Sequence, residues 1–292
     1  MMGLPGQPER RRNTPEPGTA IVTGAAGGIG RWIALGLAQA GHTVVLVGRD
    51  RSRGEAARAW VSERATGMAA ELMVADLSSL AATQALGREI VRRHPRISVL
   101  VNNAGVFRAR RERTAEGHDV VLAVNHLSPF VLMRELEGAL RAGAPSRIVT
   151  VGSSRSDRAR MDPDNFGLER RWGMTRAYGQ SKLAVMMATF EWARRLDGSG
   201  VTANVVHPGT VATGLVRTPG VIGLAWRLMA PWSRSEQEGA DTPLHAALAP
   251  ELAGVTGKYL KDRKIVEPNR LARDPELAGR VWRETERLVS RV

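Results

Sequence analysis

Short apolar runs, each trailed by a stretch of helical period, constrain this chain more than any other feature. Thr19–Thr23 is followed by a helical pattern over 28–40, the run 43–47 by 52–66, and 72–75 by 80–93. The pattern continues with 99–101 before a helical stretch at 120–140, and with 148–151 before one at 175–196, and it closes on 201–206. None of these runs alternates apolar with polar residues. A strand that is apolar at every position is buried on both faces, and a helix after each strand supplies the cover. With right-handed crossovers this predicts a doubly wound α/β fold, a parallel sheet of about seven strands with helices on both faces.

Residues 1–18 carry four prolines, three consecutive arginines and little apolar content, and read as a flexible tail. Residues 19–292 read as a single domain, with no repeat and no linker to divide them. No apolar run has the length of a membrane span and the tail has no signal-peptide core, so a cytoplasmic location is expected. The absence of cysteine excludes disulfides, thiolate metal sites and cysteine nucleophiles. The six histidines show neither H-x-x-H nor H-E-x-x-H spacing, and no metal is expected. The net charge of +13 raises nucleic acid or an anionic membrane as partners. Only four of the 42 basic residues are lysines, however, and no helix-turn-helix, zinc-finger or basic–aromatic pattern accompanies them, so no nucleic-acid partner is expected.

Between the first strand and the first helix lies Thr23-Gly24-Ala25-Ala26-Gly27-Gly28-Ile29-Gly30. Glycines there let backbone N–H groups approach a pyrophosphate that the helix N-terminus also attracts, the dinucleotide seat of a Rossmann sheet. The G-x-x-x-G-x-G spacing differs from the common G-x-G-x-x-G fingerprint. At the end of the second strand stands Arg49, and Arg31 directly follows the glycine turn. Two guanidinium groups near the adenosine ribose suit a 2′-phosphate, which favours NADP(H). NAD(H) is the alternative, with Asp50 meeting the ribose instead. Farther along, Tyr178 and Lys182 stand four residues apart, on one face of a helix. An ammonium beside a phenol lowers its pKa from about 10 towards a range useful for acid–base chemistry.

These features, in this order, resemble the short-chain dehydrogenase/reductase family over about residues 18–290. The resemblance rests on T-G-x-x-x-G-I-G at 23–30, V-A-D-L at 74–77, N-N-A-G at 102–105 and V-N-H-L at 124–127. It continues through V-G-S-S at 151–154, Y-G-Q-S-K at 178–182 and H-P-G-T-V-A-T at 207–213. The ending, with S-E-Q-E-G-A at 235–240 and T-G-K-Y-L at 256–260, looks like the retinol-dehydrogenase-like branch.

The resemblance implies that Tyr178 gives a proton to a substrate carbonyl or takes one from an alcohol. Lys182 would hold the nicotinamide ribose and depress the Tyr178 pKa, Ser153 (with Ser154 as the fallback) would bond the substrate oxygen, and Asn125 would anchor a water relay. It further implies a cofactor seat made by Gly24, Gly28, Ile29 and Gly30, by Asp76 and Leu77 beside the adenine, and by Asn103, Ala104 and Gly105. Pro208, Gly209 and Thr213 would meet the nicotinamide carboxamide. Residues 210–235 would form the substrate loop or lid. Within it, the apolar stretch 215–232, with Trp226 and Trp232, reads as a lid, as core packing or as a membrane-surface helix. The expected protein is an NADP(H)-dependent ketoreductase or alcohol dehydrogenase acting on a hydrophobic, cyclic or polyketide-like compound, as a homodimer or homotetramer. A non-catalytic NADP(H)-binding sensor or scaffold is the alternative.

Overall fold

The computed structural model describes residues 16–65, 70–211 and 233–290. It contains one eight-stranded sheet with strand order β3-β2-β1-β4-β5-β6-β7-β8. The strands are β1 (Thr19–Thr23), β2 (Thr43–Gly48), β3 (Ala70–Val74), β4 (Ile97–Asn102), β5 (Ser146–Val151), β6 (Val201–His207), β7 (Tyr259–Lys261) and β8 (Lys264–Val266). The pairings from β3 through β7 are parallel, and β8 turns back antiparallel on β7. Only six apolar runs stand out in the sequence because β7 and β8 are three residues long and the first two residues of β8, Lys264 and Ile265, are exposed.

Helices α1 (Gly28–Gln39), α2 (Arg51–Arg64) and α6 (Glu236–Leu248) cover one face of the sheet. Helices α3 (Leu80–Arg93), α4 (Ser128–Ala142), α5 (Met174–Arg195) and α7 (Pro275–Val289) cover the other. The strands show why their apolar runs are continuous. Ile21, Val45 and Val47 join the core beneath α3, α4 and α5, while Ala20, Val22, Val44 and Leu46 join the core beneath α1, α2 and α6. Successive side chains leave a strand on opposite faces, and here both faces are dry. Each fully buried aliphatic side chain contributes roughly 1.5–3 kcal/mol to this arrangement.

Sequence capping explains several helix starts. Asp50, Ser79, Ser235 and Asp274 each accept a backbone N–H from the first turn of the helix they precede, and Ser235 with Glu238 forms a full capping box. The long stretch expected at 120–140 is interrupted. Val120–Leu122 is a short α-turn capped by Asp119, Ala123–Leu127 is π-helical, and regular α4 begins only at Ser128. Such π-turns are frequent at functional sites, and this one contains Asn125. Parallel order reverses around β1 and β4, so the C-terminal ends of those strands open a crevice, the usual ligand position in such sheets.

Candidate active site

The crevice is a cleft lined from the glycine turn, across the ends of β2, β3, β4 and β5, to α5 and the loop after β6. At its floor Thr23 ties β1 to β4. Its hydroxyl donates to the Val101 carbonyl (3.3 Å) and accepts from the backbone N–H groups of Asn103 and Ala104 (3.0 Å each). The Asn103 amide donates to the carbonyls of Thr23 (2.8 Å) and Gly24 (3.3 Å). Gly24 adopts φ +67°, and a Cβ there would sit 2.9 Å from the Ala104 Cα. A Cβ on Gly30 would fall 2.4 Å from the Gly24 carbonyl oxygen and 2.5 Å from Asn103 Nδ2. The turn is thus fixed as a closely packed cradle that only glycine can form.

Helix α1 begins at this cradle with Gly27 in the cap position and no side chain bonded to its first N–H groups. These donors, at the positive end of a helix, fit the pyrophosphate of a dinucleotide. Gly24, Gly28, Ile29 and Gly30 line the cleft there, as do Asp76, Leu77, Asn103, Ala104, Gly105, Pro208 and Gly209. Asp76 also accepts the Ser78 N–H (2.9 Å), which shapes the loop after β3. Thr213 and the stretch 215–232 lie outside the described residues.

The two arginines expected at the ribose part company. Arg49 lines the cleft and Arg31 does not. The Arg31 guanidinium lies over the Trp60 ring at 4.3 Å, with Glu236 at 3.9 Å. A cation over an indole face and beside a carboxylate already has partners. Sequence reading missed Arg53, which does line the cleft and whose guanidinium would be 3.2 Å from a Cβ on Gly27. The signal was available: Asp50 caps α2 by accepting the Arg53 N–H (2.9 Å), which starts the helix with Arg53 in its first turn. That bond gives Asp50 a structural task through Oδ1, and Asp50 lines the cleft beside Arg49.

On the opposite side α5 presents Tyr178 and Lys182, both buried, to the cleft. Lys182 Nζ donates to the Val151 carbonyl at the end of β5 (2.8 Å). Removal from water pushes this ammonium down to a pKa of about 8. Ser153 lines the cleft just beyond β5, its hydroxyl accepting the Arg155 N–H (3.2 Å). The preceding Gly152 is required by packing, since a Cβ there would come within 2.9 Å of Val205. Phe107 packs edge-on against the Tyr178 ring at 5.2 Å.

The Tyr178 pKa runs against expectation. Burial raises it above 10, opposed by a hydrogen bond from Ser153 and by the Arg155 charge, and Lys182 is not among the groups that act on it. The lysine ammonium is turned to Val151 instead, so at this phenol desolvation outweighs the neighbouring cation.

Asn125 serves as a brace. Its Oδ1 accepts the Val106 N–H (2.7 Å), and its Nδ2 donates to the Val106 carbonyl (3.0 Å) and to Ser181 Oγ (3.0 Å). Ser181 in turn donates to the Tyr178 carbonyl (2.9 Å). The π-turn, the loop after β4 and the face of α5 that carries Tyr178 are therefore joined through one amide. Sequence reading also missed Asp157, which accepts from the Tyr259 hydroxyl (3.1 Å) and Lys261 Nζ (2.6 Å) and so pins the loop after β5 to β7. Of the histidines, His126 is fully buried, with Nε2 at 2.7 Å from the Thr285 hydroxyl, and burial lowers its pKa to about 3. Among the described residues no group of His, Asp and Glu is arranged to hold a metal ion.

A seat for a dinucleotide facing a Ser, Tyr and Lys set defines a class of nicotinamide-dependent oxidoreductase, and comparison with known proteins agrees. The short chain dehydrogenase family model matches residues 18–219. Human retinol dehydrogenase 13 is 37% identical over 282 residues, covering 93% of this chain and 84% of that protein. Mouse polyprenol dehydrogenase is 39% identical over 284 residues, covering 94% and 85%. Among solved structures, a short chain dehydrogenase from Burkholderia cenocepacia in complex with NADP superposes with a TM-score of 0.68 at 28% identity, covering 86% of this chain and 97% of that one. The chain belongs to the short-chain dehydrogenase/reductase family and is retinol-dehydrogenase-like within it. Its chemistry is oxidoreduction at a CH–OH or carbonyl group.

Proposed function

We propose that this protein is an NADP(H)-dependent oxidoreductase that interconverts a ketone or aldehyde and an alcohol on a hydrophobic substrate, with Tyr178 as the acid–base group. The observation that carries the reading is the convergence of Ser153, Tyr178 and Lys182 on the cleft that also holds the glycine cradle. The α1 N-terminus, Asp76, Leu77, Asn103–Gly105, Pro208 and Gly209 would hold the dinucleotide, with Arg49 and Arg53 for a 2′-phosphate and Lys182 for the nicotinamide ribose. When bound, the nicotinamide supplies or accepts the hydride.

The chain's own residues manage the oxygen. The Tyr178 hydroxyl gives its proton to the developing alkoxide and becomes a phenolate, and in the alcohol direction the phenolate takes the proton from the substrate hydroxyl. Burial moves the pKa of this phenol up from its ordinary value, which favours the protonated, donor form. The Ser153 hydroxyl donates a second hydrogen bond to the same oxygen, preorganised by its fixed place after β5. Asn125 keeps α5 and the loop after β4 in register for this contact. Val106, Phe107, Val120, Val124 and Met174 give the cleft an apolar wall, which suits a hydrophobic substrate. The names of the retinol and polyprenol relatives, both apolar alcohols, support the same choice. The reading takes the enzyme as cytoplasmic and homo-oligomeric. Among the described residues no helix is long and apolar enough to cross a membrane.

Tyr178→Phe tests the reading directly. Turnover of a responsive ketone with NADPH should fall by a factor of about 10²–10⁴ while NADPH binding, followed by fluorescence, is retained. Turnover unchanged in this variant would remove Tyr178 from the mechanism.

A further inference from the structure

Arginines crowd one side of this cleft. Arg110 lies on the loop after β4, Arg155, Arg158 and Arg160 on the loop after β5, and Arg171 just before α5; all five are exposed and line the opening. They flank the Tyr178 side, away from Arg49 after β2 and Arg53 in the first turn of α2. Phe107, three residues before Arg110, touches the Tyr178 ring, and the Arg155 charge acts on the Tyr178 hydroxyl. Three carboxylates share this rim, and each already has a cation. Glu112 pairs with Arg108 (3.0 Å), Asp162 with Arg176 (3.1 Å) and Asp157 with Lys261 (2.6 Å). Among the described residues, no carboxylate lies within 4.0 Å of any of the five arginines.

An arginine-rich chain would scatter unpaired guanidinium groups everywhere, but this one matches many of them. Arg58 lies against Glu55, Arg92 against Glu89, Arg141 against Glu137, Arg194 against Glu191 and Arg287 against Glu284. A concave site with one sign of charge concentrates ligands of the other sign, and guanidinium groups pair with oxyanions through two N–H bonds.

From the unpaired arginines on the Tyr178 side of an apolar-walled cleft, we propose that the substrate is an amphiphilic anion, an apolar carbonyl or alcohol compound bearing a carboxylate or phosphate remote from the reacting carbon. The proposal rests on the oxidoreductase reading above and narrows its substrate class. The reacting oxygen goes to Tyr178 and Ser153, the apolar body lies along Phe107 and its neighbours, and the oxyanion reaches Arg110, Arg158 and Arg160 at the rim.

The experiment compares a long-chain keto acid, the matching keto-alkyl phosphate and the neutral methyl ester of the acid, each with NADPH and the full-length protein. An anionic form should show kcat/KM at least about tenfold above the ester, and the margin should shrink as salt rises to about 0.3 M. Whichever of acid and phosphate is faster identifies the oxyanion. In the combined variant Arg110→Gln, Arg158→Gln, Arg160→Gln the anion-to-ester ratio should fall towards one, with NADPH affinity retained as the check on folding. Arg96→Gln, an exposed arginine preceding β4 at the other end of the sheet, should keep the full ratio. Equal turnover of ester and anions would overturn the substrate class and leave the oxidoreductase reading standing. NADPH binding without turnover of any of the three would overturn that reading and this inference with it.

Discussion

The two walls of the cleft are built by different means. The dinucleotide wall is made of backbone: glycines, a bare helix N-terminus, and carbonyls gripped by Thr23 and Asn103. The catalytic wall is made of side chains that are far apart in sequence, such as Lys182 on the Val151 carbonyl and Asn125 on Ser181. Backbone geometry fails by steric exclusion, so a single methyl group is enough to break it. A side-chain wall fails by electrostatics, so its faults depend on pH and on charge.

The largest effect should come from the dinucleotide wall. Gly30→Ala adds a Cβ 2.4 Å from a backbone oxygen that cannot move without disturbing Thr23 and Asn103. NADPH affinity should fall by about 100-fold or more by titration, since a clash with backbone costs several kcal/mol. Binding at the wild-type level would show that the cradle yields, and the contrast between the walls would be lost.

The catalytic wall should answer to pH. Lys182 has a folded pKa near 8, below its ordinary 10.5, so between those values the unfolded chain binds the extra proton. Stability therefore rises with pH across that window, and below it the buried ammonium is a burden. Lys182→Met should be more stable than the wild type at pH 7, by on the order of 1–3 kcal/mol in denaturant unfolding, with the margin closing towards pH 10.5. A margin independent of pH would show that the lysine is not held against its preference.

The smallest effect separates the arginines. Arg53→Gln should weaken NADPH by about tenfold and NADH little, through loss of a charge-assisted contact. Arg31→Gln, already matched with Trp60 and Glu236, should change either affinity by no more than about twofold, by the same titration. The opposite ranking would return the 2′-phosphate to Arg31.

The sequence was most informative where local rules suffice. Both-face burial makes strands such as β2 continuous in apolar residues, and a pair like Tyr178 and Lys182 stands out when tyrosines number two and lysines four. It was least informative where partners come from distant segments. Nothing near Arg31 in the chain announces that Trp60 and Glu236 will hold it. The three residues of β8 are too few and too exposed to show a pattern, and the π-turn at Ala123–Leu127 has no local signature that separates it from α4. Asp157 takes its meaning only from Tyr259 and Lys261, over a hundred residues away. At Tyr178 spacing gives the proximity of a cation, but only the folded surroundings show how dry the phenol is and where the ammonium points.

The bond between Asn103 and Thr23 also bears on the order in which the protein can be assembled. The glycine turn is a local sequence, yet its shape is imposed by a side chain 80 residues downstream. Closing so long a loop carries an entropic cost that grows with the length of chain between the two residues. A chain emerging from the ribosome as far as β3 thus holds every glycine of the motif and still lacks the receptor they form. If these residues hold the nucleotide as proposed, the cradle is complete only when β4 has paired with β1, and ligand binding would report a completed N-terminal half.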